Sequence, residues 1–130
     1  MIKKIIYILI GIALIFGLYK LLSIPPKNNS PSNIVVENSD LIFYWGDGCP
    51  HCENVEKWMA ENNIDQKLKI TKKEVYQDAE NRKELIDSVN KYCPELNQNG
   101  VGVPIGFDPV NNKCIQGDTT IIDFLSQKIK

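Results

Sequence analysis

An apolar run, Leu41-Ile42-Phe43-Tyr44-Trp45, stops at Gly46-Asp47-Gly48, and Cys49-Pro50-His51-Cys52 follows at once. A short apolar and aromatic run closed by glycines predicts a buried strand. Beyond the break, Cys52, Val55, Trp58, Met59 and Asn62 recur at helical spacing, with Glu53, Glu56, Lys57 and Glu61 on the opposite face. Pro50 suits the first turn of that helix, because its missing N–H is one the helix would leave unpaired anyway. The chain must therefore turn from strand to helix across Gly46–Gly48, with Cys49 at the helix N-terminus.

That position has chemical consequences. Unpaired backbone N–H groups and the positive end of the helix dipole favour an anion, so a thiolate is stabilised over a thiol. A free cysteine titrates near ~8.5, and a helix N-terminus with a neighbouring imidazolium brings it to roughly 3.5–7.5. His51, the only histidine in the chain, lies between the two cysteines. Cys52, one helical turn beyond Cys49, can attack a mixed disulfide formed there and release the substrate. Cys49 is thus the expected nucleophile and Cys52 the resolving thiol, with Pro50 and His51 as the intervening active-site residues. Stabilising the Cys49 thiolate stabilises the reduced pair, so the disulfide is expected to lean toward oxidising its substrates, although Asp47 works against this.

Other uses of two cysteines fit less well. Half of a zinc site needs further ligands, and there is no second Cys-x-x-Cys or His pair, so no metal site is expected. Haem attachment requires His directly after the second cysteine, where Glu53 stands. A purely structural disulfide across two residues is strained. The alternative from another class is a soft-metal module that holds or delivers Cu(I) through Cys49 and Cys52, with His51 as a third ligand.

The N-terminal residues differ in kind. Lys3 and Lys4 precede an apolar run from Ile5 to Leu22 broken only by Lys20. At about 1.5 Å per residue such a helix reaches about 27 Å, close to the ~30 Å hydrocarbon thickness, and Lys20 can snorkel. Residues 1–22 are therefore expected to be an uncleaved membrane anchor, since no small-x-small triplet follows and a signal peptide needs one. Lys3 and Lys4 favour a cytoplasmic N-terminus, which leaves the remainder extracytoplasmic in a single-pass topology. Residues 23–39, rich in Pro, Asn and Ser, read as a flexible tether. A net charge of −1 over 130 residues gives no footprint for a nucleic-acid partner.

Residues 40–130 read as one folded domain. Lys67–Val75 alternates like a half-exposed strand near a sheet edge. Asp78 can cap a second helix with Leu85, Ile86, Val89 and Cys93 on one face, ending at Pro94. Val103–Phe107 and Lys113–Gln116 form an expected hairpin. Gly117-Asp118 opens the last helix, with Asp118 as N-cap and Ile121, Ile122, Phe124, Leu125 and Ile129 as its apolar stripe. The order β-α-β-α-β-β-α, with a right-handed first crossover, gives an α/β fold: a four-stranded mixed sheet with helices on both faces.

This order, Cys49-Pro50-His51-Cys52 and the later Val103-Pro104 resemble the thioredoxin superfamily, and the short length resembles its glutaredoxin-like branch. The Tyr44–Cys52 segment and Gly117-Asp118 are similar to glutaredoxins, whereas the Cys-Pro-His-Cys centre resembles that of periplasmic disulfide oxidants. The resemblance implies a thioredoxin-like fold over residues 40–130 and a cis-proline at Pro104 beside the site. It also implies that the Val103 backbone receives an extended substrate segment, near which Trp45 is a candidate contact. Thioredoxins carry a buried acid where this chain has Phe43, and glutaredoxins carry a lysine where it has Gly46-Asp47-Gly48, which counts against a glutathione site.

Cys93 and Cys114 fall at the end of this topology remote from Cys49. An even cysteine count in an oxidising compartment favours a disulfide between them, and two separate buried thiols are the alternative. The sequence thus describes a membrane-tethered thiol–disulfide oxidoreductase acting on protein thiols. It would use no cofactor beyond its own Cys49–Cys52 disulfide and be regenerated by a membrane redox partner.

Overall fold

The structure, a computed structural model, describes residues 38–98 and 100–130. The anchor expected at 1–22, and all but the last residues of the tether expected at 23–39, lie outside them. Among the described residues no helix is long and apolar enough to cross a membrane.

Strand β1 (Leu41–Trp45) leads into helix α1 (Pro50–Glu61) and the single helical turn α2 (Ile64–Lys67). Strand β2 (Ile70–Glu74) and helix α3 (Ala79–Tyr92) follow, then a 3₁₀ turn, Pro94–Asn97. The hairpin strands β3 (Ile105–Asp108) and β4 (Lys113–Gln116) precede the last helix, α4 (Asp118–Lys128). The sheet order is β2-β1-β3-β4, with β1 parallel to β2 and antiparallel to β3. This is the expected mixed four-stranded sheet, with β2 at one edge.

The pleat of β1 explains the two-sided core, because successive side chains of a strand point to opposite faces. Leu41 and Phe43 pack with Cys52, Val55 and Met59 of α1 and with Ile121 and Leu125 of α4. Ile42 and Tyr44 pack on the other side with Leu85 and Val89 of α3 and with Phe107. The first four residues of β1 are wholly buried, and each such apolar side chain contributes about 1.5–3 kcal/mol of transfer free energy. At Gly106 the neighbouring strand comes so close that a Cβ would lie 2.9 Å from the Leu41 side chain.

A hydrogen-bonded phenol also enters this core. The buried Tyr44 hydroxyl donates to Glu84 Oε1 at 2.9 Å, and Lys73 Nζ donates to both Glu84 oxygens at 2.8 and 2.6 Å. Burial, and then the Glu84 charge, push the phenol well above its ordinary pKa, so Tyr44 stays neutral and donating.

Four local expectations are corrected. The second strand begins at Ile70 rather than Lys67, because Ile64–Lys67 forms a helical turn that buries Ile64. The hairpin's first strand begins at Ile105, after Val103-Pro104, rather than at Val103. On α3, Ile86 faces solvent and Ser88 is buried in its place. Gly117, with φ +89°, is the N-cap of α4, and Asp118 is its first helical residue. Asp78, in contrast, caps α3 as expected, accepting from the N–H groups of Glu80 and Asn81.

Candidate active site

Gly48, at φ +70°, makes the turn that β1 needs before α1. Cys49 follows as the N-cap of α1 in extended conformation, with Pro50 in the first turn. Its Sγ accepts the Cys52 N–H at 3.3 Å, and its carbonyl accepts the Glu53 N–H at 3.1 Å. An N-cap sulfur therefore occupies the place usually taken by a serine or aspartate oxygen, and a negative charge on it is stabilised by the donor and by the helix end.

Cys49 and Cys52 are joined in a disulfide with a Cα–Cα separation of 5.3 Å. Cys49 retains 7 % exposure and Cys52 only 1 %, so a thiolate arriving from solvent meets Cys49. Pro50 is exposed, and Trp45 is half-buried against the cluster that contains both cysteines. Phe43 is wholly buried in that same cluster, so an apolar ring occupies the place of a thioredoxin-type acid.

The Val103–Pro104 peptide bond is cis. The Val103 carbonyl lies 3.8 Å from Cys49 Sγ, in the direction a reduced Cys49 thiol would donate. The Pro104 carbonyl accepts the Gly117 N–H at 3.1 Å, which ties this loop to the start of α4. The structure thus brings Cys49, Cys52, Val103 and Pro104 together and sets Trp45 behind them.

His51 turns toward the start of α4, which Gly117 ties to this same loop. Its Nδ1 lies 2.9 Å from Asp118 Oδ2, while the side chain remains 70 % exposed. Asn54 Nδ2 donates to the same carboxylate oxygen at 3.0 Å, and the Thr119 N–H donates to Asp118 Oδ1 at 2.9 Å. Hydrogen bonds from His51, Asn54 and Thr119 hold the Asp118 carboxyl far below the usual carboxylate range. The sequence alone does not place this residue in the site. The sequence marks it as a helix start and, with Gly117, as a likeness to glutaredoxins, but not as the partner of His51, which it meets across 67 residues of chain.

A second carboxylate organises the loops around Cys49. Glu74, at the end of β2, accepts the N–H groups of Tyr76, Gln77 and Asp78 at 2.7, 2.8 and 3.1 Å, and that of Asp47 at 3.4 Å. Desolvation opposes its charge, but these four donors outweigh it and lower its pKa. Beside this loop a groove of about 390 Å³, lined by Val75, Tyr76, Leu85, Ile86, Val101 and Val103, leads toward the cis-proline loop.

At the far end of the sheet, Cys93 and Cys114 are joined in a second disulfide, linking the C-cap of α3 to β4. Among the described residues no group of three or more His, Cys, Asp or Glu side chains is placed to hold a metal ion. His51 is bonded to Asp118, and nothing in the geometry favours the Cu(I) alternative.

A buckwheat glutaredoxin solved as its glutathione complex superposes with a TM-score of 0.51, at 15 % sequence identity, over 72 % of this chain and 79 % of its own. The fold is glutaredoxin-like. An oxidised glutaredoxin 2 from Chlamydomonas reinhardtii gives a TM-score of 0.47 at 21 % identity, over 71 % of this chain and 76 % of its own. Neither a protein-family model nor a curated relative matches the chain. The glutaredoxin-like fold therefore rests on three-dimensional likeness, and the chemistry must be read from the residues in place.

Proposed function

We propose that this protein is a thiol–disulfide oxidoreductase that exchanges disulfides with protein thiols through Cys49 and Cys52. The reading is carried by one observation: a disulfide whose less buried sulfur is the N-cap of a helix and accepts a backbone N–H. A substrate thiolate attacks Cys49 Sγ, and Cys52 leaves as a thiolate. A second substrate thiolate then attacks the substrate sulfur of the mixed disulfide and releases Cys49. The substrate gains a disulfide and the protein becomes a dithiol. The same chemistry admits glutathione, which the buckwheat protein binds, as a second class of thiol partner.

The stabilised Cys49 anion supports an oxidising to intermediate poise. Lys3, Lys4 and the apolar run Ile5–Leu22 support a single membrane anchor with the domain outside the cytoplasm. A membrane redox partner would then return the dithiol to the disulfide. The test is oxidation of a two-cysteine peptide by the full chain, with its potential read by equilibration against a glutathione buffer. Peptide oxidation at a potential between about −230 and −120 mV supports the reading. A thioredoxin-like value near about −270 mV overturns the oxidising poise, and no exchange overturns the function.

A further inference from the structure

The hydrogen bonds around His51 fix which ring nitrogen can exchange a proton. Asp118 accepts from Asn54 and from the Thr119 N–H, and its carboxylate is held in the ionised form. An ionised carboxylate is an acceptor only, so the Nδ1 that lies 2.9 Å away must carry a hydrogen. In the neutral ring Nε2 is then the acceptor. Nε2 has no partner among the described residues, on a side chain 70 % exposed and two positions from Cys49. A carboxylate that holds the Nδ1 hydrogen of a histidine sets its tautomer and leaves the outer nitrogen as the acceptor.

From this geometry we infer that the His51–Asp118 pair serves as proton acceptor for the incoming substrate thiol, with His51 as the base and Asp118 as its positioning residue. The inference rests on the exchange reaction proposed above and adds its first step. The substrate S–H gives its proton to His51 Nε2, and the thiolate formed attacks Cys49 Sγ. The Cys49–Cys52 bond breaks, its electron pair leaves on Cys52 Sγ, and the imidazolium, faced by the Asp118 carboxylate, returns its proton to solvent.

Other charges near the ring are few. Glu53 lies on the same helix, and Asp47, in the preceding loop, turns its carboxylate toward Gln77 Nε2 at 3.4 Å. The Gly102–Pro104 loop carries no charge, so Asp118 is the charged group that α4 brings to the imidazole.

A base matters only while the substrate is a thiol. With an ordinary thiol pKa near ~8.5, about 1 % is thiolate at pH 6.5 and about 10 % at pH 7.5. The gain from His51 is therefore capped at about 100-fold at pH 6.5 and about tenfold at pH 7.5, and vanishes above about pH 8.5.

The experiment follows reduction of the oxidised full chain by a two-cysteine peptide from pH 6 to pH 9.5. Wild type is compared with His51→Ala, Asp118→Ala and Asp118→Asn, and the ring tautomer is read by ¹⁵N NMR. The expected result is a deficit in both alanine variants that narrows with rising pH and closes near the substrate thiol pKa. Asp118→Asn, whose amide oxygen can still accept from Nδ1, is expected to fall between, and the wild-type ring to carry hydrogen on Nδ1.

A pH-independent deficit, equal rates in all four proteins, or a neutral ring protonated on Nε2 overturns the inference while leaving the exchange reaction standing. A wild-type disulfide that no peptide thiol reduces at any pH overturns the exchange reading itself, and this inference with it.

Discussion

Replacing both Cys93 and Cys114 by alanine should cost the domain about 3 kcal/mol, because the bridge closes a loop of 21 residues in sequence separation and a loop of that length carries a closure entropy near this value. The loop contains the 3₁₀ turn, the cis-proline segment and β3, so its release loosens the denatured chain around the part of the fold that supports Cys49. Small domains are stable by only about 5–15 kcal/mol, so the loss is a large fraction of the whole. At about 4–8 °C per kcal/mol for a 60–100-residue domain, the melting temperature should fall by about 12–24 °C. Guanidinium titration of the full chain, wild type against the double variant, measures it. The slope should rise as well, since an unbridged denatured chain exposes more surface. A loss below about 1 kcal/mol would refute the entropic reasoning.

Three further outcomes follow from particular side chains. Asp78→Ala removes two bonds to the α3 N-terminus and should lower stability by about 1 kcal/mol, read from the shift in urea midpoint. Glu74 and Asp118 both have lowered pKa values, so their stabilisation is full above the ordinary carboxylate range and is lost as pH falls below that range through their lowered values. Urea midpoints measured from pH 7 to pH 2 should show a shallower acid limb in Glu74→Gln than in wild type. Tyr44 has a raised pKa, so its contribution is full below about pH 10 and is lost as pH rises, because the unfolded phenol ionises first. The alkaline limb should flatten in Tyr44→Phe, and an unchanged limb would contradict a buried neutral phenol.

Much of the fold is legible in local pattern. The apolar run of β1, the glycine break and the helical spacing after Cys52 together put the two cysteines at a strand-to-helix turn, because each signal spans only a few residues. The alternation in Ile70–Glu74 likewise marks an edge strand. What the sequence hides is longer in range or shorter in length. A single turn such as Ile64–Lys67 carries too few residues for a period to show. Asp118 has an acidic N-cap's composition, yet its carboxylate turns across to His51 and Asn54, and a bond between residues 67 apart leaves no periodic trace. Glu74 sits at the end of an alternating strand, and nothing in that pattern announces a carboxylate that gathers N–H groups from two loops. The Cys93–Cys114 pairing is one of two arrangements the sequence allows, and the topology that carries α3 over to β4 decides between them.

The central claim is that Cys49 is the attacking and attacked sulfur of a thiol–disulfide exchange. It is tested most directly by trapping. The full chain carrying Cys52→Ala is incubated with a disulfide-containing peptide, and the adduct is mapped by mass spectrometry. The account predicts a stable mixed disulfide at Cys49 that does not persist when Cys52 is present, and none at Cys52 in a Cys49→Ala chain, because Cys52 is only 1 % exposed. An adduct at Cys52, or no adduct at Cys49, would contradict it.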